Sequence, residues 1–173
     1  MIRISITTGG IARIGKNGFR DIGRQAIEAS VRYWWEHYLP LHFEQSAHFR
    51  YGYLARNSKY NNAKLRRTTW QDSEGKSLGE VKPLVFTGRS RDRALSSPNI
   101  RAKAPTFERY EGSAIINAPA FNFGSGKRIN MRDEVTRLHP AEASMLDKIF
   151  TRAWNKLLRT AGLRATRQTK VAA

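Results

Sequence analysis

The sequence contains no cysteine. Disulfides, cysteine-bound zinc and thiol nucleophiles are therefore excluded, and the absence fits a reducing compartment. Acidic residues are scarce, with 14 Asp and Glu against 31 Lys and Arg. A Mg²⁺-dependent nuclease gathers several carboxylates around its metal. No such group can be assembled from the linear sequence, where the adjacent acids Asp133-Glu134 stand beside Arg132 and Arg137. Long apolar runs are missing too. A membrane-spanning helix needs roughly 18 or more consecutive apolar residues, and none is present. The opening "MIRISITTGG" lacks the apolar core and small-residue cleavage site of a secretory signal. The expectation is a soluble protein with no membrane insertion.

Catalytic motifs are equally thin. No G-x-S-x-G marks a hydrolase serine. A phosphate loop needs two glycines bracketing four residues, followed by Lys-Ser/Thr, so that backbone amides ring the phosphate. "TGRS" offers the single Gly88, and "GSGKR" at Gly124–Arg128 has no upstream glycine at that spacing. His37, His42 and His48 lie close together with Glu36 and Glu44. Metal ligands on one helix favour a spacing of about three or four, but Pro40 separates His37 from His42 and no HExxH pattern occurs. The reading is no enzyme, no cofactor and no metal. A small metal-dependent nuclease using Asp or Glu with one of the histidines, to be tested by changing His42 or Glu44, stands as the weakest alternative.

What the chain does have is positive charge. It carries a net +17 over 173 residues, with a pI near 10.9. A field of that sign attracts polyanions. The cations are spread from Arg3 to Lys170, so a folded surface rather than a tail should be basic. Hydrophobic residues make up 40%, including four Trp and eight Phe, which is enough for a core.

The residue pattern predicts an α+β fold: two long helices, near the N- and C-terminus, packed on a small antiparallel β-sheet with long loops. Met1–Thr8 alternates Ile2, Ile4 and Ile6 with polar residues, as a half-buried strand does. Asp21 is a candidate cap for a helix running to Tyr38 or Leu39, with Ile27, Val31, Trp34 and Tyr38 on one face. Pro40 should end or kink it, and "LHFEQSAHF" could add a further helical turn. Pro83–Thr87 and Ala94–Ile100 are candidate strands, and Phe107–Asn117 follows with Gly112 as a turn or bulge. Pro119–Asn130 reads as a loop or hairpin tip. From Pro140 to Gly162 the stripe Leu146, Ile149, Phe150, Ala153, Trp154, Leu157 and Leu158 specifies the second helix. The expected organisation is one domain over 1–162 and an extended basic arm over 163–173.

Several segments resemble the head–tail connection proteins of tailed bacteriophages, a group that takes in neck, tail-completion and tail-terminator proteins. They are "RYGY" at Arg50–Tyr53, "RNSKYNNAKLR" at Arg56–Arg66, "KPLVFTGRSRDRAL" at Lys82–Leu95 and "RDEVTRLHPAEASMLDKIF" at Arg132–Phe150. The hydrophobic-Thr-Gly-x-x-Arg/Lys element is typical of the group. Where such proteins often carry Leu as the second residue after Thr-Gly, this chain has Ser90 or Arg91, depending on register. The resemblance implies a structural virion protein forming a homo-oligomeric ring, a hexamer or dodecamer, in the neck. Its partners would be portal, adaptor or head-completion proteins, tail proteins, and double-stranded DNA in the channel. It would lie in the virion after assembly in the host cytoplasm.

On that reading the candidate DNA or partner contacts are Arg56, Lys59, Lys64, Arg66, Arg67, Arg89, Arg91, Arg93, Lys127, Arg128, Arg164, Arg167 and Lys170. The candidate subunit contacts are Trp35, Tyr51, Tyr53, Tyr60, Phe121 and Phe123, because large aromatics favour interfaces. The rival reading is a sequence-nonspecific nucleic-acid-binding protein working free in the cell. It would use the clusters Arg56–Arg67 and Arg89–Lys103 on phosphates.

Overall fold

A computed structural model describes residues 2–8, 16–56, 58, 62, 84, 89–96, 98–106, 109–116, 130–161 and 169–172; for 2–8, 16–17, 89–90 and 169–172 it describes the backbone alone. The fold is α+β, with two long helices and a small antiparallel sheet. The chain forms two compact units. Unit 1 takes Met1–Glu36, Pro98–Ile115 and Leu138–Ala173, and unit 2 takes His37–Ser97 and Ile116–Arg137.

Unit 1 holds the sheet. Its strands are β1 (Ile2–Thr8), β2 (Asn99–Lys103), β3 (Arg109–Ile115) and β4 (Thr169–Ala172), in the order β2-β3-β1-β4. All neighbours are antiparallel. The register sets Ile2, Ile4 and Ile6 opposite Ala114, Gly112 and Tyr110. Those three β3 residues are buried, and they alternate with more exposed ones. The period-two pattern at the N-terminus thus lines up with the period-two burial of its partner. β4 lies within the stretch expected as an arm: Thr169–Ala172 instead pairs with β1 as a sheet edge. Four residues offer no periodicity from which to read this, and their strand state depends on a partner far away in sequence.

Helix α1 (Lys16–His37) starts before the expected cap Asp21, which is exposed and pairs with Arg24 at 3.4 Å. Tertiary packing extends it: Phe19 is buried and stacks on Trp154 at 5.9 Å. Ile22, Ala26, Ile27, Val31, Trp34 and Trp35 are buried as well.

Gly112 is not a bulge. It pairs regularly with Ile4 and Ala102. A Cβ there would lie 2.5 Å from Val31 Cγ2 and 2.9 Å from Ile27 Cγ1, so the missing side chain lets α1 lie directly on β3. Gly23 does the same in reverse, leaving room for the Tyr110 ring.

The long C-terminal helix keeps its expected start at Pro140 and ends at Thr160. His139 caps it, accepting from the Ala141 amide at 3.2 Å, and Glu142 returns the bond to the His139 amide at 3.4 Å. Such a reciprocal cap satisfies donors that the helix itself cannot. Leu146, Phe150, Trp154 and Leu158 form the buried line at i, i+4 spacing. Tyr110 sits against Phe150 and Trp154, with ring centres 5.9 and 5.4 Å away. The buried Ser30 hydroxyl of α1 donates to the Leu146 carbonyl at 3.1 Å, joining the two long helices.

The described residues of unit 2 form short helices: a 3-10 helix (Leu39–Phe43) begun by Pro40, α2 (Ala47–Tyr51), α3 (Arg89–Ser96) and α4 (Met131–Val135). The long C-terminal helix (Pro140–Thr160) is therefore α5. The strand expected over Ala94–Ile100 is corrected: residues up to Ser96 belong to α3, and β2 begins only at Asn99. Arg89–Ser96 contains no β-branched residue to favour a strand, and Ala94 is buried on the helix. Within the run expected as the Pro83–Thr87 strand, the described residue is Leu84. It is buried with φ of 57°, a left-handed turn that a strand does not accommodate. The rest of that run, and Pro119–Asn130 apart from Asn130, lie outside the described residues.

Candidate functional site

Among the described residues of unit 2, a group of polar and ionisable side chains joins two segments about 80 positions apart. One is Tyr51–Arg56, leaving α2. The other is α4 with the turn behind it. Gly52 makes the join possible: it caps α2 in the left-handed region (φ 60°), with its amide on the His48 carbonyl. A residue with a Cβ is strained there. The chain then turns back past Tyr53 and Leu54 towards α4. Asn130 caps α4, its side chain accepting from the Arg132 and Asp133 amides at 3.1 and 3.4 Å. This fixes the turn that carries Glu134.

Glu134 is the hub. Its Oε1 accepts from the Leu54 amide at 3.2 Å and from Arg56 Nη1 at 3.1 Å, and its Oε2 accepts from Arg56 Nη2 at 2.5 Å. The pair is two-pronged and buried, with side-chain exposures of 9% for Arg56 and 2% for Glu134. Buried charge is costly unless paired and fully hydrogen-bonded, and both conditions are met for the carboxylate. One turn on, Arg137 Nη1 donates to the Tyr51 and Gly52 carbonyls at 3.1 and 2.8 Å. The returning segment is thus held at an amide, two carbonyls and a side chain.

His42, from the 3-10 helix, is buried beneath the same segment. Its ring stacks on Tyr51 at 3.8 Å, and its Nδ1 shares a hydrogen bond with the Tyr53 hydroxyl. Burial lowers its pKa from 6.5 to about 3; a hydrogen bond with the Glu134 backbone opposes the shift, and the Arg50 charge adds to it. The ring is neutral at physiological pH. Arg50 lies over the Tyr38 and Tyr51 rings at 6.0 and 5.7 Å, within cation–π range. Among the described residues, no group of three His, Cys, Asp or Glu could hold a metal ion. None of the described helices is long and apolar enough to cross a membrane.

Most of the expected contact residues that are described with side chains are enclosed or paired within the chain. Arg56, expected on DNA, is enclosed by Glu134. Arg91 is half-buried and pairs with Asp92 at 3.1 Å, while Arg93 is exposed. Arg89 opens α3 and Lys170 lies in β4, both described by backbone alone. Trp35, Tyr51 and Tyr53, expected at subunit contacts, are buried within the chain. Lys59, Tyr60, Lys64, Arg66, Arg67, Phe121, Phe123, Lys127, Arg128, Arg164 and Arg167 lie outside the described residues. Glu134 and Arg137 were absent from the expected contacts, although two acids set among arginines were the available signal. Phe49 was missed without any signal: it lies in the same stretch as the tyrosines and is 95% exposed. Compared with protein-family models, curated proteins and solved structures, the chain matches none.

Proposed function

We propose that the protein is a structural subunit of a ring in the neck of a tailed bacteriophage, at head–tail joining, tail completion or tail termination. The observation that supports this reading most is the clamp in unit 2. Three of the segments that carry the resemblance meet there: "RDEVTR" holds "RYGY" through Arg137, and Arg56, the first residue of "RNSKYNNAKLR", through Glu134. Their polar groups hold the chain's own backbone, which suits a scaffold that presents loops to neighbours. Phe49, exposed on α2 beside that clamp, is the subunit contact in place of Tyr51 and Tyr53. Ring contacts of this kind are head-to-tail and close by rotation.

The test is assembly of the purified full chain with portal, adaptor and tail proteins, read by light scattering and negative-stain imaging. Closed rings are expected. A lone monomer with no affinity for those proteins would overturn the reading. If that monomer also bound DNA tightly at low salt, the second reading would replace it. That reading, a nonspecific nucleic-acid-binding protein, is favoured by the net charge of +17.

A further inference from the structure

We infer that the exposed face of α5 is a contact surface for the phosphate backbone of double-stranded DNA, made by Lys148, Arg152, Lys156 and Arg159. None of the four was singled out as a contact from the sequence. All four are exposed. At 3.6 residues per turn they fall within an arc of about 80° and extend over about 16 Å. The buried line Leu146, Phe150, Trp154 and Leu158 occupies the opposite side. The acids of the helix are off the stripe: Glu142 is buried in the cap and Asp147 turns towards the buried side.

Several cations elsewhere in the described residues are matched by acids, and the unmatched Arg93, Arg101, Lys103 and Arg132 are spread over separate elements. On α1, Arg24 and Arg32 are matched by Asp21 and Glu28 at helical spacing. On α3, Arg91 has Asp92. On the sheet, Arg109 pairs with Glu111 at 2.8 Å, and Glu111 also stands opposite Lys103. None of the ion pairs among the described residues involves the α5 cations. Lys148, Arg152 and Lys156 follow one another at i, i+4, and Arg159 follows at i+3. Like charges at those spacings destabilise a helix by itself. The favourable placement of cations near a helix C-terminus reaches only the last turn, so it accounts for Arg159 and leaves Lys148, Arg152 and Lys156. A polyanion along the stripe would relieve the repulsion.

The choice of duplex follows from what accompanies the cations. Single strands are held by aromatic platforms on which bases stack. The exposed large apolar residues among those described are Phe49 and Leu54, neither of them on α5. The stripe offers charge without stacking, which suits the regular backbone of a duplex. In the ring reading this face would line the DNA channel, but it does not require the ring.

The test is duplex binding by the full chain, measured as fluorescence anisotropy across a salt series. Each phosphate contact contributes a slope of about −0.9 in log K against log salt. The variant K148Q/R152Q/K156Q/R159Q should lose about 3.6 from the slope. A charge-matched control, R24Q/R32Q/R109Q/R132Q, should lose less than about 1. Should the quadruple variant fail to fold, R152Q and K156Q singly should each lose about 0.9. An unchanged slope in the α5 variants, an equal loss in the control, or no duplex binding by the unaltered chain would overturn the inference. A preference for single strands of equal length would overturn it too. Light scattering on the same samples reads the ring separately. A monomer that binds duplex through α5 sinks the ring and spares this inference, and a ring indifferent to duplex does the reverse.

Discussion

His42 and Glu134 show how much one buried ionisable group can govern. The His42 pKa is about 3 in the folded chain, through burial above all, and 6.5 is its ordinary value. Between those values the unfolded chain binds the extra proton and the folded chain does not. The contribution is therefore fully present above about pH 6.5 and is lost as pH falls towards 3, on the order of 5 kcal/mol in all. His42→Gln should flatten the pH dependence of urea midpoints across that window; parallel curves for variant and parent would contradict this. Glu134 tests a different balance. Glu134→Gln strands the Arg56 charge in a buried place and should cost about 3–5 kcal/mol. Arg56→Met with Glu134→Leu removes both charges and should cost less than Glu134→Gln alone. A double-mutant cycle in urea measures the coupling.

At the scale of elements, the contact between α1 and β3 depends on glycine. Gly112→Ala would press a methyl group into Val31 and Ile27. Overpacking of that kind costs about 1–3 kcal/mol. Thermal unfolding should drop by about 2–4 °C for each kcal/mol. Adding Val31→Ala removes the nearest atom, so the double variant should be less destabilised than the two single losses added together. An additive result would mean that β3 shifts away from α1 instead. The same contact explains what could be read in advance. α5 was legible because Pro140, the i, i+4 apolar line and the late cations all agree. The start of α1 was misread because Phe19 earns its helical place only through Trp154. The strand expected over Ala94–Ile100 was misplaced because its strand-forming part begins only beyond Pro98, while Arg89–Ser96 has no β-branched residue. Gly112 was legible as special, but its reason lay across the sheet–helix contact.

At the scale of the whole molecule, net charge and exposed apolar surface act on assembly in opposite directions. A chain with +17 repels its own copies, most strongly at low salt. In the proposed ring, subunit contacts would have to overcome that repulsion with apolar area, and Phe49 is the most exposed large apolar side chain among the described residues. Phe49→Ser should weaken ring formation in light scattering at least several-fold while leaving the melting temperature within about 2 °C, since an exposed side chain contributes little to folding. An equal fall in both would place Phe49 in the fold instead. Ring assembly should strengthen as salt screens the repulsion, whereas duplex binding through α5 should weaken. The two readings thus differ in the sign of their salt dependence.

By itself the sequence determined the class of the fold, the strand at Ile2–Thr8, the long helix from Pro140 and the net positive charge. These follow from short-range periodicity and from counting, and neither needs a partner. Only the tertiary structure decided which cations are available. Arg56 and Glu134 are 78 positions apart, and nothing local to either says that they meet. Burial then turned Tyr51, Tyr53 and Arg56 from contacts into framework. It left Phe49 and the α5 stripe facing outward, because in a short helix the residue between two buried ones points away, and in a long helix so does the side opposite the apolar line.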